Sequence, residues 1–138
     1  MKKILSLLMI LVLSIGIIGC SSKSTDKVEE NKEDTIAVNV TVDEAKKMID
    51  ESKELLVLDV RSEEDFAKGH LKDSKRILVD ELDSKVSEIE QYKDKEVLVY
   101  CNSGKKSDKA MKILEDKGFT KLYHMNEGIS KWTYDIEK

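Results

Sequence analysis

Two short apolar runs constrain the fold of this chain more than any other feature. Leu55–Asp59, apolar up to its last residue, and Val97–Tyr100 are both of strand length, and neither alternates apolar with polar residues. Strands of that composition are covered on both faces, as happens when helices pack on either side of a parallel sheet. Polar residues and a segment of helical periodicity follow each run. The pattern predicts an α/β fold with a mainly parallel central sheet flanked by helices.

The same alternation of strand and helix continues on either side of these runs. Thr41 and Glu44 have the spacing of a capping box at a helix N-terminus, and Gly118 stands where a helix would end. Ile129, Trp132 and Ile136 would form the packed face of a last helix. The further predicted elements are strands at 36–40, 76–79 and 121–124 and helices at 42–51, 62–67, 80–91, 107–117 and from about 129 onward.

The N-terminus has the layout of a secretory signal. Two lysines precede the apolar segment 4–18, which as a helix would extend about 22 Å, short of the roughly 30 Å core of a bilayer. The segment leads into Ile17-Ile18-Gly19-Cys20, which resembles a bacterial lipobox. The resemblance implies a lipoprotein signal peptide over 1–19 and diacylation of Cys20, which would hold the protein on the extracytoplasmic side of the cell membrane. An uncleaved anchor with an incidental cysteine is the alternative.

Residues 20–34 and the net charge complete the organisation of the chain. After Cys20 the composition turns to Ser, Lys, Glu and Asp, which predicts a flexible tether up to residue 34. Residues 35–138 then suffice for one domain, for which a monomer is the default expectation. The 24 basic and 28 acidic side chains give a net charge of -4, which argues against a nucleic-acid partner.

Cys101 is the residue with the strongest case for chemistry. It directly follows a predicted strand and opens a loop that leads to the helix predicted from Ser107. The N–H groups of such a loop can converge on an anion, and a helix N-terminus adds a partial positive charge. Gly104 permits unusual backbone angles, while Lys105 and Lys106 add charge, so the pKa of the thiol is expected to fall. A buried structural cysteine is the alternative.

Several short motifs occur along the chain in a fixed order: Asp59-Val60-Arg61-Ser62, Phe66, Gly69-His70-Leu71, Cys101–Ser107, Gly118-Phe119, Gly128-Ile129 and Trp132. This ordered set resembles the rhodanese-like sulfurtransferases. The likeness runs over Thr35–Lys138 and implies that family's three-layer fold. It also implies an enzyme that takes a sulfane sulfur from a small anionic donor such as thiosulfate or a polysulfide. Cys101 would hold this sulfur as a covalent persulfide intermediate and pass it to a thiol or cyanide. No cofactor is expected.

The resemblance also implies roles for individual residues. Cys101 would be the nucleophile, and the two loop lysines would attract an oxyanion donor. Lys106 stands where the family usually has arginine, so weaker donor binding is expected. The backbone N–H groups that would surround the persulfide belong to Asn102, Ser103, Gly104, Lys105, Lys106 and Ser107.

Asp59 and Arg61 are predicted supporting residues at the same face of the sheet. One could order the loop and the other pair with Glu63 or Glu64, although a structural role for both is favoured. His70 and His124 invite a metal site with Cys101, but their spacing matches no compact ligand motif, so no metal is expected.

Rival functions differ in what they require around Cys101. Phosphatases and arsenate reductases of a related fold place arginine six residues after the cysteine, where this chain has Ser107. A disulfide redox cycle has no partner for Cys101 once Cys20 is acylated. A weakly active or noncatalytic rhodanese module, which stores sulfane sulfur or docks a partner at the cell surface, is the main alternative.

Overall fold

Five parallel strands form the centre of the domain. The computed structural model describes residues 35–138, so the predicted signal peptide, Cys20 and tether lie outside the described residues. The strands pair in the order β1-β5-β4-β2-β3, and every pairing is parallel. The α/β fold predicted from the apolar runs is confirmed. The strands are β1 (Ile36–Asn39), β2 (Leu56–Asp59), β3 (Lys75–Arg76), β4 (Glu96–Tyr100) and β5 (Lys121–His124).

Within residues 35–138, four α-helices and two 3-10 helices accompany the strands. Thr41 caps the first helix as predicted: its hydroxyl accepts from the Glu44 N–H at 3.2 Å, and the Glu44 carboxylate accepts from the Thr41 N–H at 2.8 Å. Within residues 35–138 no helix has the length and apolar character needed to cross a bilayer. The helices are α1 (Val42–Glu51), α2 (Glu63–Lys68), α3 (Leu82–Lys85), a 3-10 helix (Val86–Tyr92), α4 (Lys105–Asp116) and a second 3-10 helix (Ile129–Lys131).

Two hydrophobic cores cover the two faces of the sheet. Leu58 and Val99 point to one face, where they pack in a cluster with Leu114 of α4. Val57 and Leu98, one residue out of phase with them, point to the other face and share a cluster with residues of α1. The strands are therefore buried on both sides between helices, which gives the predicted three layers.

The segment between β3 and β4 differs from its prediction. The predicted helix over 80–91 is divided into the short α3 and the 3-10 helix Val86–Tyr92. Leu82 and Ile89 are nevertheless fully buried, because a spacing of three or four residues keeps the same side inward in both helix types. The strand predicted at 76–79 is only Lys75–Arg76.

The predicted C-terminal helix is wrong. Only Ile129–Lys131 forms a 3-10 turn, and Trp132 already has an extended backbone. Further on, Glu137 pairs antiparallel with His70 through two backbone hydrogen bonds of 2.9 Å. Ile136, predicted to pack inward, is 44% exposed. The end of the chain is thus held as an extended strap rather than as a helix.

The direction of the strands determines which residues meet. In a parallel sheet all carboxyl ends lie at one edge and all amino ends at the other. β1, β5 and β4 are neighbours, so Asn39, His124 and Cys101 come together at the carboxyl edge. Ile36, which begins β1, lies at the opposite, amino edge.

Candidate active site

The sulfur of Cys101 lies inside a ring of hydrogen-bond donors. The N–H of Gly104 donates to Sγ at 3.1 Å, and the N–H of Ser107 donates to it at 3.4 Å. The hydroxyl of Ser107 lies 3.3 Å from the same sulfur. Cys101 is only 2% exposed, so these groups take the place of water around the sulfur. Such an arrangement stabilises an anion.

Gly104 explains why the helix begins early enough to serve the sulfur. With φ at +96°, this glycine occupies the N-cap position of α4, so the helix begins at Lys105 rather than at the predicted Ser107. Ser107 consequently lies in the first turn, where backbone N–H groups have no acceptor within the helix. Its N–H is therefore free to donate to Cys101.

The pKa of Cys101 reflects this balance. Burial of the sulfur acts to raise the pKa of the thiol, but it is outweighed by the Ser107 hydroxyl and by the backbone N–H groups of Ser107, Ser103 and Gly104. The pKa of Cys101 is therefore lower than that of an ordinary thiol, in the direction predicted from the sequence. The groups with the largest lowering effect are the loop amides and Ser107 rather than the two lysines.

The segment 126–130 packs against the loop that begins at Cys101 and is hydrogen-bonded to its backbone. The N–H of Ile129 donates to the carbonyl of Cys101 at 2.9 Å, and that of Ser130 donates to the carbonyl of Asn102 at 3.1 Å. Gly128, at φ +71°, comes so close that a Cβ added there would lie 2.2 Å from the Asn102 carbonyl oxygen. The loop is thus held by direct backbone contact with this segment.

Asp59 and Arg61 form a buried ion pair next to the loop. Arg61 Nη2 donates to Asp59 Oδ2 at 2.6 Å and Nε donates to Oδ1 at 2.9 Å, with both residues at most 4% exposed. The remaining guanidinium nitrogen of Arg61, Nη1, donates to the side-chain oxygen of Asn102 at 3.3 Å. Arg61 therefore pairs with Asp59 and not with Glu63 or Glu64, and it is Arg61 that reaches the loop.

The structure separates the two loop lysines. Lys105 lines an open cleft of about 420 Å³ together with Asn39 and His124. Lys106 acts instead on the carboxylate of Asp80, whose pKa it helps to lower after the larger effect of Lys109. Both lysines are exposed. Of the two, only Lys105 lines this cleft.

His124 and Asn39 belong to the site although neither was predicted there. His124 Nε2 lies 2.6 Å from the hydroxyl of Ser107, and its Nδ1 lies 3.1 Å from Oδ1 of Asn39. Asn39 is the last residue of β1 and His124 is the last residue of β5, just as Cys101 directly follows β4. A polar residue at the carboxyl end of a strand is the signal that could have identified both. Within residues 35–138, no group of three or more His, Cys, Asp or Glu side chains is placed to hold a metal ion.

The fold and the site together define a class of protein: a single α/β domain that holds one cysteine sulfur in an anion-stabilising loop. Residues 41–135 match the rhodanese-like domain, and the chain belongs to the rhodanese-like family. A similar solved structure is that of a rhodanese-related protein from Thermoplasma volcanium, with a TM-score of 0.63 and 26% sequence identity. The match covers 72% of this chain and 96% of that one.

Two bacterial relatives show how the domain compares in length. The chain is 33% identical over 94 residues to the uncharacterized protein YibN of Escherichia coli K12, which covers 67% of this chain and 65% of YibN. It is 26% identical over 98 residues to the putative sulfur carrier protein YrkF of Bacillus subtilis 168, which covers 71% of this chain and 52% of YrkF. The chain thus spans less than two thirds of either relative.

Proposed function

We propose that this protein is a rhodanese-type sulfurtransferase that carries a sulfane sulfur on Cys101. The observation that supports this most is the convergence of two N–H groups and one hydroxyl on Sγ at 3.1–3.4 Å. A thiolate held in this way is a nucleophile, and the persulfide anion that follows needs the same donors. Membership of the rhodanese-like family supports the same chemistry.

The proposed reaction has two steps and needs no external oxidant. The Cys101 thiolate attacks the outer sulfur of thiosulfate, a sulfur–sulfur bond forms, and sulfite leaves with the electron pair of the bond that breaks. Cyanide or a thiolate then attacks the terminal sulfur of the persulfide. Cys101 leaves as a thiolate, which the loop donors stabilise again, and the product with cyanide is thiocyanate.

Mass spectrometry of the full-length protein tests this proposal. After exposure to thiosulfate or a polysulfide, we expect the mass of one sulfur atom to be added to the tryptic peptide Glu96–Lys105. Cyanide should remove it with formation of thiocyanate. Cys101→Ser should abolish both events, and His70→Asn, a substitution away from the loop, should leave them intact. Turnover that survives in Cys101→Ser would refute the assignment of the nucleophile.

A sulfur carrier is the second candidate function. The printed name of YrkF, a putative sulfur carrier protein, points to it, and the N–H groups that converge on Sγ would stabilise a stored persulfide as well. A carrier would load one sulfur per Cys101 and release it only to a partner protein, as a storage or docking module would. Loading without thiocyanate turnover would favour this candidate over the enzyme.

We also propose that Cys20 carries a lipid and that the domain works on the extracytoplasmic face of the cell membrane. The Ile17-Ile18-Gly19-Cys20 motif behind an apolar segment supports this proposal. We expect a clickable palmitate analogue to label the wild-type protein and not Cys20→Ala. The other expected partners are the small anionic donor and the thiol or cyanide acceptor, with a monomeric protein and no nucleic acid.

A further inference from the structure

Three side chains join the sulfur of Cys101 to the cleft of about 420 Å³. Sγ of Cys101 lies 3.3 Å from Ser107 Oγ, which lies 2.6 Å from His124 Nε2, and His124 Nδ1 lies 3.1 Å from Asn39 Oδ1. All these contacts are of hydrogen-bond length. The side chains that make these contacts belong to the loop, α4, β5 and β1. The hydrogen-bonded row therefore depends on the fold of the whole domain.

The hydrogen positions follow from the chemistry of the end groups. An amide oxygen only accepts, so His124 donates from Nδ1 to Asn39. A neutral His124 then has a bare Nε2, which accepts from the hydroxyl of Ser107. Ser107 in turn can accept the hydrogen of the Cys101 thiol. In this arrangement each contact has one donor and one acceptor.

We propose that Ser107 and His124 form a proton relay for Cys101, with Asn39 orienting the histidine. The S–H bond of Cys101 breaks as an O–H bond forms on Ser107. The original O–H bond of Ser107 breaks as an N–H bond forms at Nε2 of His124. The result is a thiolate that accepts from Ser107 and an imidazolium that donates to both neighbours. The proposal deepens the proposed function, since it names what takes the proton from the nucleophile.

The alternative hydrogen bond of Ser107 shows why His124 matters. The Ser107 hydroxyl also lies 3.1 Å from the carbonyl of Gly104, which can only accept. Ser107 has one hydrogen for three neighbours, so it stabilises the thiolate only when that hydrogen points at Sγ. When Nε2 of His124 carries a hydrogen, it donates that hydrogen to the Ser107 oxygen. The hydrogen of Ser107 is then free to point at the sulfur.

The surroundings of His124 give the proton a way out. The imidazole is buried, yet it lines the cleft of about 420 Å³, which is open to solvent. The charged groups that face it are Lys105 and Asp108 of α4, besides Cys101 itself, while β1 contributes the uncharged Asn39. Burial lowers the pKa of His124, and Asp108 acts in the opposite direction. His124 is thus neutral and ready to accept at neutral pH.

Alkylation of Cys101 tests the relay without any sulfur donor. Iodoacetamide modification of the peptide Glu96–Lys105 in the full-length protein reports the thiolate across a pH series. We expect Ser107→Ala and His124→Asn each to slow the rate at pH 7 by about tenfold, and the double variant to be no slower. Ser107→Thr, which keeps the hydroxyl, should restore the rate. His70→Asn, the same change at the other histidine, is the matched control.

The outcomes separate the relay from the proposed function. If His124→Asn keeps the wild-type pH profile while Ser107→Ala shifts it, the relay ends at Ser107 and the proposal is wrong. If the profiles shift as expected but thiosulfate never loads Cys101, the relay stands and the sulfurtransferase proposal fails. If loading occurs but neither variant alters alkylation, the relay alone is overturned.

A measurement on the imidazole itself reports the relay independently of the alkylation rates. The nitrogen-15 shifts of His124 distinguish a bare from a protonated Nε2. At pH 7 we expect a larger protonated fraction at Nε2 in the wild type than in Cys101→Ala, which has no thiol proton to give and no thiolate to favour the imidazolium. Identical shifts in the two proteins would overturn the relay.

Discussion

Gly128→Ala tests whether the segment 126–130 determines the reactivity of the loop. Gly128 has φ +71° and ψ 179°, a combination that is essentially restricted to glycine, so alanine adds about 1–3 kcal/mol of strain. Its Cβ would also lie 2.2 Å from the Asn102 carbonyl oxygen. Because real Cβ contacts do not fall below 3.0 Å, the two backbones must separate by at least the difference, 0.8 Å.

That separation acts on the two hydrogen bonds that join the segment to the loop. The bonds from Ile129 to Cys101 and from Ser130 to Asn102 are 2.9 and 3.1 Å long, and each contributes about 1 kcal/mol. Strain and both bonds together predict a loss of about 3–5 kcal/mol in the free energy of unfolding. The loop N–H groups would also move relative to Sγ, and a displacement of about 1 Å can lower reactivity roughly a hundredfold.

Gly118→Ala is the matched control. Gly118 also has a positive φ, +87°, but no atom lies within 4 Å of the Cβ that alanine would add. Urea denaturation followed through Trp132, the only tryptophan in the sequence, measures stability, and iodoacetamide alkylation measures Cys101. We expect both variants to be less stable and only Gly128→Ala to react slowly at Cys101. The reasoning is refuted if Gly128→Ala alkylates at the wild-type rate, or if Gly118→Ala slows equally.

Four further predictions concern charge and protonation. Asp59→Ala leaves the buried Arg61 guanidinium without its carboxylate and should lower the free energy of unfolding by about 3–5 kcal/mol in urea; a loss below about 1 kcal/mol would contradict this. The pH midpoint of Cys101 alkylation should lie below that of the same thiol in the urea-unfolded protein, and an equal or higher midpoint would contradict this. Because the folded pKa is the lower one, the thiolate's contribution to stability is complete above the unfolded pKa and is lost as pH falls through the folded pKa; Cys101→Ser should abolish that dependence. Lys106→Arg should lower the KM for thiosulfate with little change in kcat, since guanidinium grips an oxyanion with two bonds; an unchanged KM would argue against contact with the donor.

The reactive loop was predictable because its determinants are local in the sequence. An apolar strand, a cysteine, a glycine and an amphipathic helix follow one another within twenty residues, and each restricts the backbone of the next. The error at the start of α4 came from reading Ser107 as the first helical residue. A glycine with positive φ can itself be the N-cap, which places the helix two residues earlier.

The contributions of His124, Asn39 and the segment 126–130 to the site around Cys101 depend on the order of the strands. The apolar periodicity of the sequence does not reveal that order. Nothing in the residues around Asn39 indicates that β1 adds beside β5 rather than at the other edge. The C-terminal prediction failed for a similar reason. The apolar spacing of Ile129, Trp132 and Ile136 fits a helix, but the N–H groups of residues 129 and 130 bond to the loop and Glu137 bonds to His70, and these distant partners favour an extended chain.

The polarity of the sheet has a consequence for access by large acceptors. Chain from the N-terminal side enters the domain at Ile36, at the amino edge, while Cys101 lies at the carboxyl edge. With the proposed lipid on Cys20, fourteen residues (21–34) lie between the anchor and residue 35, a contour of at most about 50 Å. The point of attachment and the sulfur are thus on opposite sides of the domain. A protein acceptor could therefore approach the carboxyl edge without displacing the segment that enters the sheet at Ile36.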